Sequence, residues 1–176
     1  RKKELLVGCV CLGSTCRSPQ ILGTTRDKLE KLGISAKVRS FGVISELLPA
    51  PSFRPEHLRA AQPHSVTIMK ERGIDITDHV PEHVTLVGIE NYDIILVADP
   101  TAYKELTGTY GFPKEKAVLL NAPDGIFNPF DFTIKDPLQQ DLSRYRQTAD
   151  QLDAIMPAVI EKHITLHKRL HGPDVA

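Results

Sequence analysis

A run of nineteen residues near the start of the chain, Leu5-Leu6-Val7-Gly8-Cys9-Val10 followed by Cys11-Leu12-Gly13-Ser14-Thr15-Cys16-Arg17-Ser18-Pro19 and then Gln20-Ile21-Leu22-Gly23, leaves little freedom in what can form around it. The apolar stretch reads as a buried strand. Ser18 is a good N-cap, Pro19 suits a first helical position, and Ile21, Leu22, Leu29 and Leu32 fall on one helical face. Between strand and helix there is room only for a tight curl carrying Cys11 and Arg17 in a Cys-x5-Arg spacing.

Such a curl aims several backbone N–H groups at one point, and the helix start adds positive potential there. A tetrahedral oxyanion fits that nest. Arg17 would grip two of its oxygens with a planar fork, which the point charge of a lysine does not reproduce. Cys11 would face the central atom from below, in a field that favours thiolate over thiol, and the Ser18 hydroxyl would donate to the sulfur. In-line attack on phosphorus would give a phosphocysteine, cleaved by water in a second step. A lone Cys-x5-Arg match is weak, and most cysteines are small buried hydrophobes. Here the preceding strand, the loop glycine, the Ser-Pro pair and the amphipathic helix coincide.

These residues resemble the signature loop of the low-molecular-weight protein tyrosine phosphatases. Downstream segments agree in order: Arg39-Ser40-Phe41-Gly42-Val43, Met69 to Ile76 with His79, Tyr92 to Asp99, and Ile134-Lys135-Asp136-Pro137. The resemblance spans nearly the whole chain. It implies a cysteine-dependent protein phosphatase acting on phosphotyrosine, with Cys11 as nucleophile, Arg17 as phosphate clamp and Asp136 as general acid. Leu12, Gly13, Ser14, Thr15, Cys16, Arg17 and Ser18 would bind phosphate, and Ser40 and His79 would support the loop. Cys16 would form a reversible disulfide with Cys11, shielding the nucleophile from irreversible oxidation. Cys9 is expected to point into the core. Among the carboxylates and amides of the long loop, Asp124 reads as a turn residue, and Asn128 lacks an acid.

The chain departs from the family pattern at several places. Leu138, Gln139 and Gln140 follow Asp136-Pro137 where aromatic residues usually wall the cleft, leaving Phe127, Phe130, Phe132 and Phe53 as candidates for that wall. Ser14 stands where asparagine is common, and Gln20 where methionine or isoleucine is. Gly23 is expected to cost the helix about 1 kcal/mol relative to alanine. Thr15 is smaller than the aliphatic usual in tyrosine-directed members and matches the threonine of some that hydrolyse phosphoarginine, so an arginine phosphatase is the alternative. Arsenate reductase would need resolving cysteines after Cys16, and the sequence has none. A non-catalytic phosphate-binding module would not need Cys11, Arg17 and Asp136 together.

At 176 residues the chain is expected to form one domain, 1–176, with a core that needs no disulfides. Lys plus Arg and Asp plus Glu number 22 each, which removes the field that nucleic acid or a membrane surface would require. No stretch approaches the roughly 20 apolar residues of a bilayer span. Cys9, Cys11 and Cys16 lie too close together to staple a secreted fold, so a cytoplasmic setting is expected. No metal or organic cofactor is called for; a phosphorylated protein or peptide is the expected partner and inorganic phosphate the product.

Alternation of strand and helix points to an α/β fold, a four-stranded parallel sheet with helices on both faces. Strands are expected at 5–10, 36–41, 92–98 and 117–120. Helices are expected from Ser18, over 65–72, 100–110 and 142–170, with a short turn at 56–61 and a kink or division at Pro157.

Overall fold

In a computed structural model of the protein, residues 4–44, 60–120 and 141–171 are described. Four strands, β1 (Leu5–Cys11), β2 (Ala36–Gly42), β3 (Ile94–Val97) and β4 (Ala117–Leu119), form one parallel sheet in the order β2-β1-β3-β4. Cys11 pairs with Gly42 at the end of β1, and Val10 with Val97 of β3. Six of the seven β1 residues are buried, as both faces of a parallel sheet are covered.

On one face, odd-numbered β1 residues from Leu5 to Cys11 pack against Ile21, Leu22 and Leu29 of α1 (Arg17–Lys31) and against Leu152, Met156 and Val159 of α4 (Leu142–Val159). The other face buries Val10, Phe41, Ile95 and Val97 beneath Tyr92, Phe112, and Ala102 of α3 (Pro100–Lys104), with Leu106 of the π-helical turn that follows it. Packed against both α1 and α4, α2 (Pro63–Glu71) adds Ile68 and Met69 to a third cluster with Cys16, Ile76 and Tyr145. The expected fold class, single α/β domain included, is the one observed.

Local boundaries differ from the sequence reading in instructive ways. The first helix starts at Arg17, with Cys16 at its N-cap position, so Ser18 lies inside the first turn and its hydroxyl is released for other partners. Leu32 is 62% exposed because α1 has already ended; Gly33, at φ +65°, turns the chain away. Gly23 has a packing reason: a Cβ there would stand 2.8 Å from Ile76 Cγ2 and 2.9 Å from Ile74 Cγ2. Pro157 is accommodated within α4, and the irregularity falls just after it, in a π-helical turn (Ile160–Thr165) leading to α5 (Leu166–His171). The helix expected over 100–110 likewise turns π-helical from Glu105. The turn expected at 56–61 falls largely outside the described residues.

β1 lies between β2, the next strand in sequence, and β3, which follows on the other side. The sheet order therefore reverses at the carboxyl end of β1, where ligands bind in open parallel sheets. Cys11 is its last residue.

Candidate active site

The curl after β1 is bent through residues 12–16 and then passes directly into α1. Cys11 Sγ sits 3.2 Å from the backbone N of Ser14, which donates to it, and 3.3 Å from Ser18 Oγ. In this arrangement the Cys11 thiol donates to Ser18 Oγ, and the Ser18 hydroxyl donates to Ser14 Oγ at 3.4 Å. Leu12 and Gly13 are half-buried, whereas Ser14, Thr15, Cys16, Arg17 and Ser18 are buried.

Ser14 has φ +56°, a left-handed conformation that costs a side-chain-bearing residue energy. The site supports it from below. His79 Nε2 lies 2.7 Å from the Ser14 carbonyl, which can only accept, so this nitrogen carries the imidazole proton. Burial pushes the His79 pKa below its ordinary value, with the bond to Ser14 opposing that shift. Ser40 Oγ donates to Ser18 Oγ at 2.6 Å and lies 3.2 Å from Ser14 Oγ; Ser14 Oγ is also 3.3 Å from His79 Nε2. Ser40 and His79 are thus both in contact with Ser14.

Asp99 is the residue that the sequence reading passed over. It follows β3 at the carboxyl edge, and its Oδ2 lies 2.6 Å from Arg17 Nη1, both side chains being less than 10% exposed. Its Oδ1 accepts from the Ala102 N–H, capping α3. One carboxylate therefore fixes both the guanidinium and a helix start. A sequence signal existed in the Asp99-Pro100 pair, an N-cap before a first-turn proline, directly after a strand.

Cys16 Sγ lies 3.5 Å from the Tyr145 hydroxyl and 3.7 Å from Thr15 Oγ1. All three cysteines are present as thiols, and burial pushes the Cys9 thiol up, as fits an inert core position. Asp136, Asp124, Asn128, Phe53, Phe127, Phe130, Phe132, Leu138, Gln139 and Gln140 lie outside the described residues. Among the described residues no group of histidine, cysteine, aspartate or glutamate side chains is arranged to hold a metal ion, and no helix is long and apolar enough to cross a membrane.

Chemically, the arrangement offers a sulfur that accepts from the Ser14 N–H and is paired with the Ser18 hydroxyl, and a guanidinium paired with the Asp99 carboxylate at the same sheet edge. The family model described as low molecular weight phosphotyrosine protein phosphatase matches residues 6–169. A probable low molecular weight protein-tyrosine-phosphatase, EpsP, of Ralstonia nicotianae is 28% identical over 89% of this chain and 96% of its own length. A protein-arginine-phosphatase of Bacillus subtilis is 26% identical, over 84% of this chain and 89% of its own. Among solved structures, a low molecular weight protein tyrosine phosphatase from T. tengcongensis superposes with a TM-score of 0.73 at 26% identity, covering 90% of this chain and 99% of that one.

Proposed function

We propose, for a chain that belongs to the low molecular weight phosphotyrosine protein phosphatase family and is thereby a phosphomonoester hydrolase, that it dephosphorylates tyrosine side chains of proteins or peptides through a phosphocysteine on Cys11. The observation that carries this reading is the placement of Cys11 Sγ against both the Ser14 N–H and Ser18 Oγ, in a loop whose Arg17 is paired with Asp99.

In the first step the thiolate attacks phosphorus in line. The P–S bond forms as the ester P–O bond breaks, while the loop N–H groups and Arg17 hold the equatorial oxygens. Asp136, by resemblance, gives its proton to the departing phenolate oxygen. In the second step Asp136 accepts a proton from the attacking water, the P–S bond breaks, and inorganic phosphate leaves with the thiolate restored. Residues 12–18 bind the phosphoryl group, and Ser40 and His79 hold Ser14 in place. The test is kinetic. With an aryl phosphate, Cys11→Ser should abolish turnover, and Asp136→Asn should remove the high-pH limb of the kcat profile. A profile unaltered by Asp136→Asn moves the acid to another carboxylate; turnover by Cys11→Ser ends the proposal.

Thr15 supports a second reading, phosphoarginine as substrate. It is small and nearly buried in the loop, with its hydroxyl beside Cys16, and the Bacillus subtilis relative is named for that activity. Turnover of phosphotyrosine and phosphoarginine peptides by the parent and by Thr15→Ile decides between them. Phosphoarginine activity that Thr15→Ile leaves unchanged removes the argument.

A further inference from the structure

A peptide plane that turns its N–H inward turns its C=O outward, so a loop that collects N–H groups at its centre must find outside donors for its carbonyls. This loop does. The Cys11 and Leu12 carbonyls accept from the Val43 N–H, and Leu12 accepts from Ile44 as well; the Ser14 carbonyl accepts from His79 and the Thr15 carbonyl from the Gln62 N–H at 2.8 Å. The Cys16 carbonyl shares its peptide plane with the Arg17 N–H. It accepts from Ser65 Oγ at 3.0 Å. Having spent its proton there, the Ser65 hydroxyl accepts from Gln20 Nε2 at 3.4 Å.

Gln20 and Ser65 are both fully buried, and Gln20 Oε1 has no hydrogen-bond partner among the described residues. A buried orphan acceptor is unfavourable for the fold, and an apolar side chain of similar volume would avoid it. The half of the amide that is satisfied points toward the loop.

We propose that Ser65 and Gln20 are positioning residues for the phosphoryl-binding loop. The Gln20 amide orients the Ser65 hydroxyl, and the hydroxyl sets the Cys16–Arg17 peptide so that the Arg17 N–H faces the anion. This rests on the loop binding phosphate, as proposed above.

The test measures affinity for inorganic phosphate by calorimetry, kcat/KM for an aryl phosphate, and Tm, for the parent, Ser65→Ala, Gln20→Met and the double variant. Ser65→Ala should weaken phosphate binding about fivefold, the factor that one neutral hydrogen bond represents, and lower kcat/KM alike. Gln20→Met should weaken phosphate binding while leaving Tm unchanged or raised, and the double variant should bind no worse than Ser65→Ala alone. Phosphate affinity unchanged in Gln20→Met, or losses that multiply in the double variant, would overturn the relay. Ser65→Ala with a lowered Tm and parental affinity would reduce it to packing. Should Ser65→Ala fail to fold, Gln20→Met alone decides. A parent that binds no phosphate defeats the loop's role and this inference together; a parent that binds, with variants that match it, defeats this inference only.

Discussion

Replacing Gly23 by alanine sets two effects of opposite sign against each other, and the contact distances decide between them. Alanine in a helix interior gains about 1 kcal/mol over glycine. Against this, the new methyl would lie 2.8 Å from Ile76 Cγ2, 2.9 Å from Ile74 Cγ2 and 3.3 Å from Met69 Sδ. Carbon atoms pack at roughly 3.5–4.0 Å, so α1 and the 74–76 segment must separate by several tenths of an ångström. Both isoleucine contacts are branch methyls that are stiff at χ1, and overpacking of this kind costs about 1–3 kcal/mol. The net expectation is a loss of about 1 kcal/mol, or roughly 2–4 °C in Tm for a domain of this size. Displacement of Ile76 also reaches the loop, because the Ile76 carbonyl accepts from the His79 N–H at 3.1 Å and His79 holds Ser14. Urea melts and phosphate affinity of Gly23→Ala measure both consequences. Gly23→Ala more stable than the parent by about 1 kcal/mol, with unchanged phosphate binding, would show that helix propensity wins and that the close approach is not a constraint.

Three other outcomes are expected. His79 is held below its ordinary pKa by burial, so the unfolded chain takes up its proton first on acidification; stability is full above about pH 6.5 and falls as pH drops below it. His79→Gln should flatten that slope in melts between pH 7.5 and 5, and an identical slope would contradict the assignment. Asp99→Asn keeps an acceptor for the Ala102 N–H but removes the charge facing Arg17, which should cost about 1.5–3 kcal/mol in urea melts, with Asp99→Ala losing about 1 kcal/mol more through the cap. Equal losses would mean that the cap contributes nothing. Peroxide should convert the Cys11 thiolate to a sulfenic acid that the Cys16 thiol displaces, releasing water and forming a disulfide that a dithiol reduces. Parent activity should then return on reduction and that of Cys16→Ser should not; equal recovery would remove Cys16 from this role.

The loop was legible because its sequence signature is local: a strand, five residues, a helix, and a cysteine and an arginine at set positions; the outside donors that hold its carbonyls are not part of that signature. The sheet was legible because β1 and β3 are unbroken apolar runs. What escaped notice is what topology alone brings together. Asp99 meets Arg17 because β3 lies beside β1, and Ser65 meets Cys16 because α2 packs against α1; no local pattern announces either contact. The N-cap was misplaced for a physical reason. A serine before a proline is a strong start signal in isolation, but the curl already has helical geometry at Arg17, and Ser18 is used for the sulfur and Ser40 instead.

The segment 45–59 leaves from Val43 and Ile44, whose N–H groups are bonded to the Cys11 and Leu12 carbonyls, and returns at Gln62, bonded to Thr15. Both of its anchorages are thus riveted to the same anion cup. A displacement of either flank, at Val43 and Ile44 or at Gln62, therefore pulls directly on the peptide planes that surround the reactive sulfur.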